Sequence, residues 1–224
     1  MLLVIGSLLL GVAVGWWAPD LSQRICGLEL KVGRPLAAAA GGIVLAVISW
    51  GVGWGWSWPA FIYVGAAGTL MLLIDVEHHR LPDKLTLPSY PVVAILLLLP
   101  AIANGQWGEY GRAILGCVAM FVFYFLLALI YPAGMGMGDV KLAGVVGLAL
   151  GFAGWAFVVI GLLAAFFLGA VIGIGLMIGG KAGRKTAVPF GPFMIAGTIV
   201  GLVFAQDLVS WYVCMGGFEP CSVG

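Results

Sequence analysis

The sequence predicts an all-α fold, a polytopic integral membrane helical bundle, and three observations carry that prediction. Hydrophobic residues fill 63% of the 224 positions and charged residues only 8%, with a mean hydropathy of +1.17. An ordinary soluble domain does not have this composition, so the solvent is the bilayer. The apolar runs are about 20 residues long, the length a helix needs to cross the hydrocarbon core. They also lack the two-residue alternation of a barrel strand. A single domain over 1–224, with about eight crossings (six to eight) and the N-terminus outside, is the simplest layout. A net charge of +1 without a basic block gives no footing for a nucleic-acid partner. Membrane lipid is the expected surroundings.

Residues 1–19 are apolar with no Lys or Arg ahead of them, unlike a secretory leader with its positive start, so they read as a retained first span. Residues 20–35 form a polar connector holding Arg24, Lys31 and Arg34, and a Gly/Ala-rich second span follows at 36–54. Trp50, Trp54, Trp56 and Trp58 then cluster with no charge beside them. That suits an interfacial belt, and for any one of them filling a helix contact explains it equally well. A third span over 59–74 ends in the most polar stretch of the chain, from Asp75 to Lys84. Pro82, Pro88 and Pro91 are expected to break and restart the chain before a fourth span at 91–103.

A short loop with Glu109 and Arg112 leads into a fifth span at 112–131. A short helix at 140–151, a long span at 156–179, a basic turn at 181–185 and a last span at 192–213 complete the chain. With the N-terminus outside, nine of the ten basic residues fall in cytoplasmic connectors, and only Arg112 falls outside. This agrees with the preference of Lys and Arg for the cytoplasmic side. The short sixth helix is read as a crossing or as a re-entrant segment buried by protein. Either way, Asp75 and Asp139 lie at the cytoplasmic ends of different helices.

Those two acids are the candidate catalytic residues. Asp139 follows Gly134, Gly136 and Gly138 within an otherwise apolar region, and an ionisable group at membrane depth needs a cavity or a partner. Peptide hydrolysis needs a water made nucleophilic and a leaving amine protonated, and two carboxyls sharing one proton can do both. The glycines give room for an extended substrate backbone beside Asp139, or else for close helix packing. They also permit a helix movement that brings the acids together. The structural alternative is an ion pair, Asp139 with Lys141 or Asp75 with Arg80.

At this point the chain resembles the type IV prepilin peptidases, membrane aspartic proteases of the GxGD type. Ile74-Asp75 followed by His78, Leu81-Pro82-Asp83 and Leu85-Thr86-Leu87-Pro88 is similar to the family's first aspartate motif. Gly136-Met137-Gly138-Asp139-Val140-Lys141-Leu142 is similar to the second, and Pro189-Phe190-Gly191-Pro192-Phe193 to a third family segment. The resemblance implies that Asp75 and Asp139 are a catalytic pair in an aspartic endopeptidase of the bacterial inner (cytoplasmic) membrane. It implies as substrates the precursors of type IV pilins, type II secretion pseudopilins or related competence proteins. Their short basic leader is cut at the cytoplasmic face, and no cofactor or metal is required.

The chain departs from bifunctional members in one place. Those carry in the first cytoplasmic connector a larger domain with paired CxxC motifs, and they N-methylate the product with S-adenosylmethionine. Here residues 20–35 hold the single Cys26, which argues against methylation.

Around the pair, Glu77 and Asp83 are read as interfacial loop acids or as binders of a leader's lysines. Lys141 is read as an electrostatic neighbour of the aspartate or as a snorkelling cation. Pro189, Phe190 and Gly191 line the site or kink the last helix. His78 and His79 do not make a metal set, and Cys214 and Cys221 are a candidate disulfide. A proton- or cation-coupled transporter using the same acids is the alternative function, but residues 1–110 and 111–224 show no repeated pattern.

Overall fold

The computed structural model describes residues 1–132, 135–179 and 189–215. Among them are eight helices: α1 (Leu2–Cys26), α2 (Arg34–Val52), α3 (Trp58–His78), α4 (Asp83–Asn104), α5 (Trp107–Ile130), α6 (Met137–Ala153), α7 (Trp155–Ile178) and α8 (Gly191–Met215). Seven are long and apolar enough to cross a membrane. The exception, α6, has 17 residues.

Several boundaries differ from the sequence reading. α1 runs through Pro19 to Cys26, so only 27–33 remain as connector. The expected break at Pro88 and Pro91 is absent: α4 continues from Asp83 to Asn104 with Pro88, Pro91 and Pro100 inside it. Hydroxyl groups add hydrogen bonds in that turn, Thr86 to the carbonyl of Pro82 at 3.2 Å and Ser89 to that of Leu85 at 2.7 Å. α5 starts at Trp107, which puts Glu109 and Arg112 inside the helix rather than in a loop. Pro192 lies in the first turn of α8, so it starts that helix instead of kinking it. Of the four tryptophans, Trp50, Trp54 and Trp56 are exposed, while Trp58 donates to Ser49 Oγ at 2.9 Å. Gly134, Cys221 and the basic turn at 181–185 lie outside the described residues.

α6 is the centre of the bundle. Almost its whole length is buried, from Asp139 to Phe152, against α3, α4, α5, α7 and α8. Glycines bring the closest neighbour in. A Cβ on Gly116 of α5 would lie 2.6 Å from the carbonyl oxygen of Gly147, and one on Gly151 would lie 2.8 Å from that of Arg112. Without Cβ atoms the two backbones touch, which is how helices associate where lipid removes the hydrophobic drive. At its far end, Arg112 Nε and Nη2 each donate at 2.9 Å to the last carbonyls of α6, those of Gly151 and Phe152. The helix carrying Asp139 is thus fixed along its side and at its C-terminus.

Candidate active site

α3 carries Asp75 in its last turn, 4% exposed. α6 carries Asp139 as its third residue, 9% exposed. An acid at the third helical position reaches back to the N–H groups a helix start leaves unpaired, and Gly136 N–H donates to Asp139 Oδ2 at 3.2 Å. Asp75 is held from a different element. Gly191 N–H, at the first residue of α8, donates to Asp75 Oδ2 at 3.0 Å. Each carboxyl therefore takes one backbone donor from a helix start, the end of a helix that favours negative charge.

Both aspartates line one cavity of about 620 Å³. No helix has to move to bring them to one cavity. The other walls come from Cys26 and Leu28 at the end of α1, from the turn His79 to Asp83, and from Gly136, Met137, Gly138 and Lys141. The ion pairs among the described residues are Arg34 with Asp20 and Lys141 with Asp83, so neither cavity aspartate is neutralised in the way the structural alternative requires. No trio of His, Cys, Asp or Glu placed to hold a metal occurs among the described residues.

The surrounding residues divide into two groups. Lys141 Nζ lies 2.7 Å from Asp83 Oδ1 at the rim of the cavity. Glu77 does not line it. Its carboxylate accepts the backbone N–H groups of Lys31 at 2.7 Å and Val32 at 2.6 Å, while His78 Nε2 lies 2.8 Å from the carbonyl oxygen of Glu29. These contacts latch the 27–33 connector onto the end of α3. Gly138 is also used differently from expectation. A Cβ there would stand 2.8 Å from Leu81 Cβ, so the chain's own turn fills that room, whereas nothing stands closer than 3.5 Å to a Cβ on Gly136.

Phe190 joins an aromatic group, with ring centroids 5.1 Å from Phe166 and 5.9 Å from Tyr124. Pro189, half-buried, precedes it. Two residues near the site escaped the sequence reading. Tyr90 donates its hydroxyl to the Lys141 carbonyl at 2.6 Å, and Tyr124 is fully buried beside Phe190. The available signal was a lone phenol in an apolar run for Tyr124, and a phenol between Ser89 and Pro91 for Tyr90.

The family model described as the type IV leader peptidase family matches residues 62–174. Among curated relatives, the prepilin leader peptidase/N-methyltransferase of Stutzerimonas stutzeri is 28% identical over 204 residues, covering 89% of this chain and 68% of the relative. The protein of that name from Bacillus subtilis is 26% identical over 199 residues, covering 86% and 74%. That from Legionella pneumophila is 34% identical over 151 residues, covering 64% and 49%. No solved structure matches the chain. With half of the chain matched by the family model, Asp75 and Asp139 included, this protein belongs to the type IV leader peptidase family.

Proposed function

We propose that this chain is an aspartic endopeptidase that removes the leader from type IV prepilins or prepilin-like pseudopilins at the cytoplasmic face of a bacterial inner membrane. One observation carries the reading: two buried carboxyls from the end of α3 and the start of α6 share a cavity, and each is held by a helix-start N–H. One ionised carboxyl takes a proton from a water, whose oxygen attacks the scissile carbonyl. The other, protonated, gives its proton to the leaving nitrogen as the C–N bond breaks. Asp75 and Asp139 fill these roles as a pair sharing one proton, and the chemistry requires no metal.

Gly136, beside which a Cβ-sized space stays open, is where a substrate backbone reaches Asp139. Asp83 and Lys141 form the polar rim, and Pro189, Phe190 and Gly191 support Asp75 from behind. Family membership supports this reading over a proton- or cation-coupled transporter. We assign no S-adenosylmethionine chemistry to this chain, because the connector between α1 and α2 is only residues 27–33 and is spent on the latch to Glu77.

The test is cleavage of a co-reconstituted prepilin by wild type, Asp75→Asn and Asp139→Asn, read by N-terminal sequencing. Wild type cuts and both variants do not. A folded wild type that cuts no prepilin, or an Asp→Asn variant with full activity, overturns the assignment.

A further inference from the structure

α4 and α5 follow one another in the chain, yet each packs more closely on α6 than on the other. On the α5 side the missing Cβ atoms of Gly116 and Gly147 let the backbones touch, and a Cβ on Gly147 would lie 2.9 Å from Cys117 Cα. On the α4 side Tyr90 lies over Gly144, where a Cβ would strike the phenol, and its hydroxyl donates to the Lys141 carbonyl at 2.6 Å. An apolar groove of about 490 Å³ is left between the two helices, lined by Leu87 and Tyr90 of α4, Cys117, Val118 and Phe121 of α5, and Lys141 of α6. Leu87 and Val118 are exposed, and α4 and α5 are both long and apolar enough to cross a membrane, so the groove opens towards lipid. Lys141 also lines the cavity of Asp75 and Asp139. It sits two positions after Asp139, well within one helical turn, and its ammonium stays with Asp83 at the polar rim. Groove and cavity thus meet at one residue. A second apolar groove, on α8 between Val200 and Trp211, shares no lining residue with that cavity.

We propose that the groove between α4 and α5 docks the apolar segment of the substrate that lies on the far side of the scissile bond from the leader, as a helix in lipid. The occupant follows from the two ways out of the site. One is polar, at Arg80, Asp83 and Lys141, and the other is the apolar groove that begins at the same lysine. A peptide lying across Asp75 and Asp139 therefore has one polar flank and one apolar flank. A chain in lipid must pair its own backbone groups, so the apolar flank is helical. Such a helix lays one face into a groove through residues three and four positions apart. Lipid acyl chains fit any lipid-facing furrow, but only a segment continuous with a peptide in the cavity uses the connection at Lys141. The groove thereby selects substrates by the helix face that follows the cut.

The inference rests on the peptidase reading, and its first test does not need cleavage. Asp139→Asn is co-reconstituted with prepilins that carry one cysteine each, at successive positions after the cleavage site. Disulfide formation with Cys117, a free thiol in the groove, is read on gels after an oxidant is added. Cys26, which lines the cavity, is replaced by Ser throughout, and Cys117→Ser is the control. Crosslinks recur every three to four positions and vanish in Cys117→Ser. No crosslink at any position, crosslinks without that spacing, or crosslinks that persist without Cys117 overturn the proposal. If wild type cuts prepilin and no crosslink forms, the docking fails alone. If crosslinks form with the expected spacing and wild type cuts nothing, the peptidase reading fails alone. The second test is kinetic. Val118→Trp fills the groove from its exposed edge and raises KM for prepilin about 10-fold with Tm unchanged, whereas Leu208→Trp in the α8 groove leaves KM as in wild type. An unchanged KM in Val118→Trp, or an equal rise in both variants, also overturns the proposal.

Discussion

Gly191 and Asp75, 116 positions apart, meet through a single hydrogen bond of 3.0 Å from the backbone N–H to Oδ2. The start of the last helix is thus part of the site at the end of the third. The contact leaves no spare room: a Cβ on Gly191 would lie 2.6 Å from Asp75 Oδ2 and 3.3 Å from its Cγ. Gly191→Ala must push the carboxyl aside while leaving the bundle intact. A displacement of about 1 Å at a reacting group costs on the order of 100-fold in rate. Prepilin cleavage kinetics should show that loss with Tm close to wild type, and near-normal kcat would mean that the bond does not position Asp75.

Gly138 presents the same problem against a different neighbour. The added methyl of Gly138→Ala meets Leu81 Cβ at 2.8 Å, so the turn after α3 has to lift from the start of α6. Overpacking of this kind costs roughly 1–3 kcal/mol. Stability falls by that amount in a denaturation assay, and activity falls with it because His79 to Asp83 form a cavity wall. Leu81→Ala keeps the Cβ and brings no relief. Leu81→Gly removes it, so the double variant with Gly138→Ala is more stable than the sum of the two single changes allows.

The fold and the acids were legible in the sequence because hydropathy and span length act locally. Asp75 and Asp139 stood out as ionisable groups bordering long apolar runs, and both lie in one cavity. The partners that hold them were not legible as such. Gly191 was visible as a motif residue, but its N–H donates to an acid 116 positions away, and no local pattern records such a bond. The prolines of α4 misled for a related reason. Their helix-breaking tendency is local, whereas the lipid requirement for paired backbone favours one continuous helix over a broken one. Tyr124 went unread because a buried phenol and a packing phenol look alike in a row of apolar letters.

Glu77, expected to meet either solvent or a leader's lysines, instead accepts two backbone N–H groups of the connector. Glu77→Ala leaves the amides of Lys31 and Val32 without an acceptor and frees residues 27–33 from the end of α3. Hydrogen bonds to a charged group contribute about 1.5–3 kcal/mol, and partial exposure reduces that here to roughly 1–2 kcal/mol. Hydrogen exchange should show Lys31 and Val32 losing protection in Glu77→Ala, with Glu77→Gln intermediate because its amide keeps one acceptor oxygen. If both amides exchange at the wild-type rate, the latch is not a stable feature. Since Leu28 lines the cavity, the Ala variant also raises KM for prepilin more than it lowers kcat.

The pH dependence of cleavage follows from the need for one proton on two carboxyls. At low pH both Asp75 and Asp139 are protonated and no base remains to activate water. At high pH both are ionised and no acid remains for the leaving amine. The kcat profile is therefore bell-shaped, and its two limbs belong to the coupled pair rather than to either aspartate. Each carboxyl holds one backbone donor, from Gly191 or from Gly136, and in the cavity they share the ionisation of one opposes that of the other, which splits the titration into two steps. Asp139→Asn removes that splitting. The remaining Asp75 then titrates in one step, visible in the infrared carboxyl band even though cleavage is lost. A wild-type profile with only one limb, or an Asp139→Asn band that still titrates in two steps, would show that the two carboxyls do not share a proton.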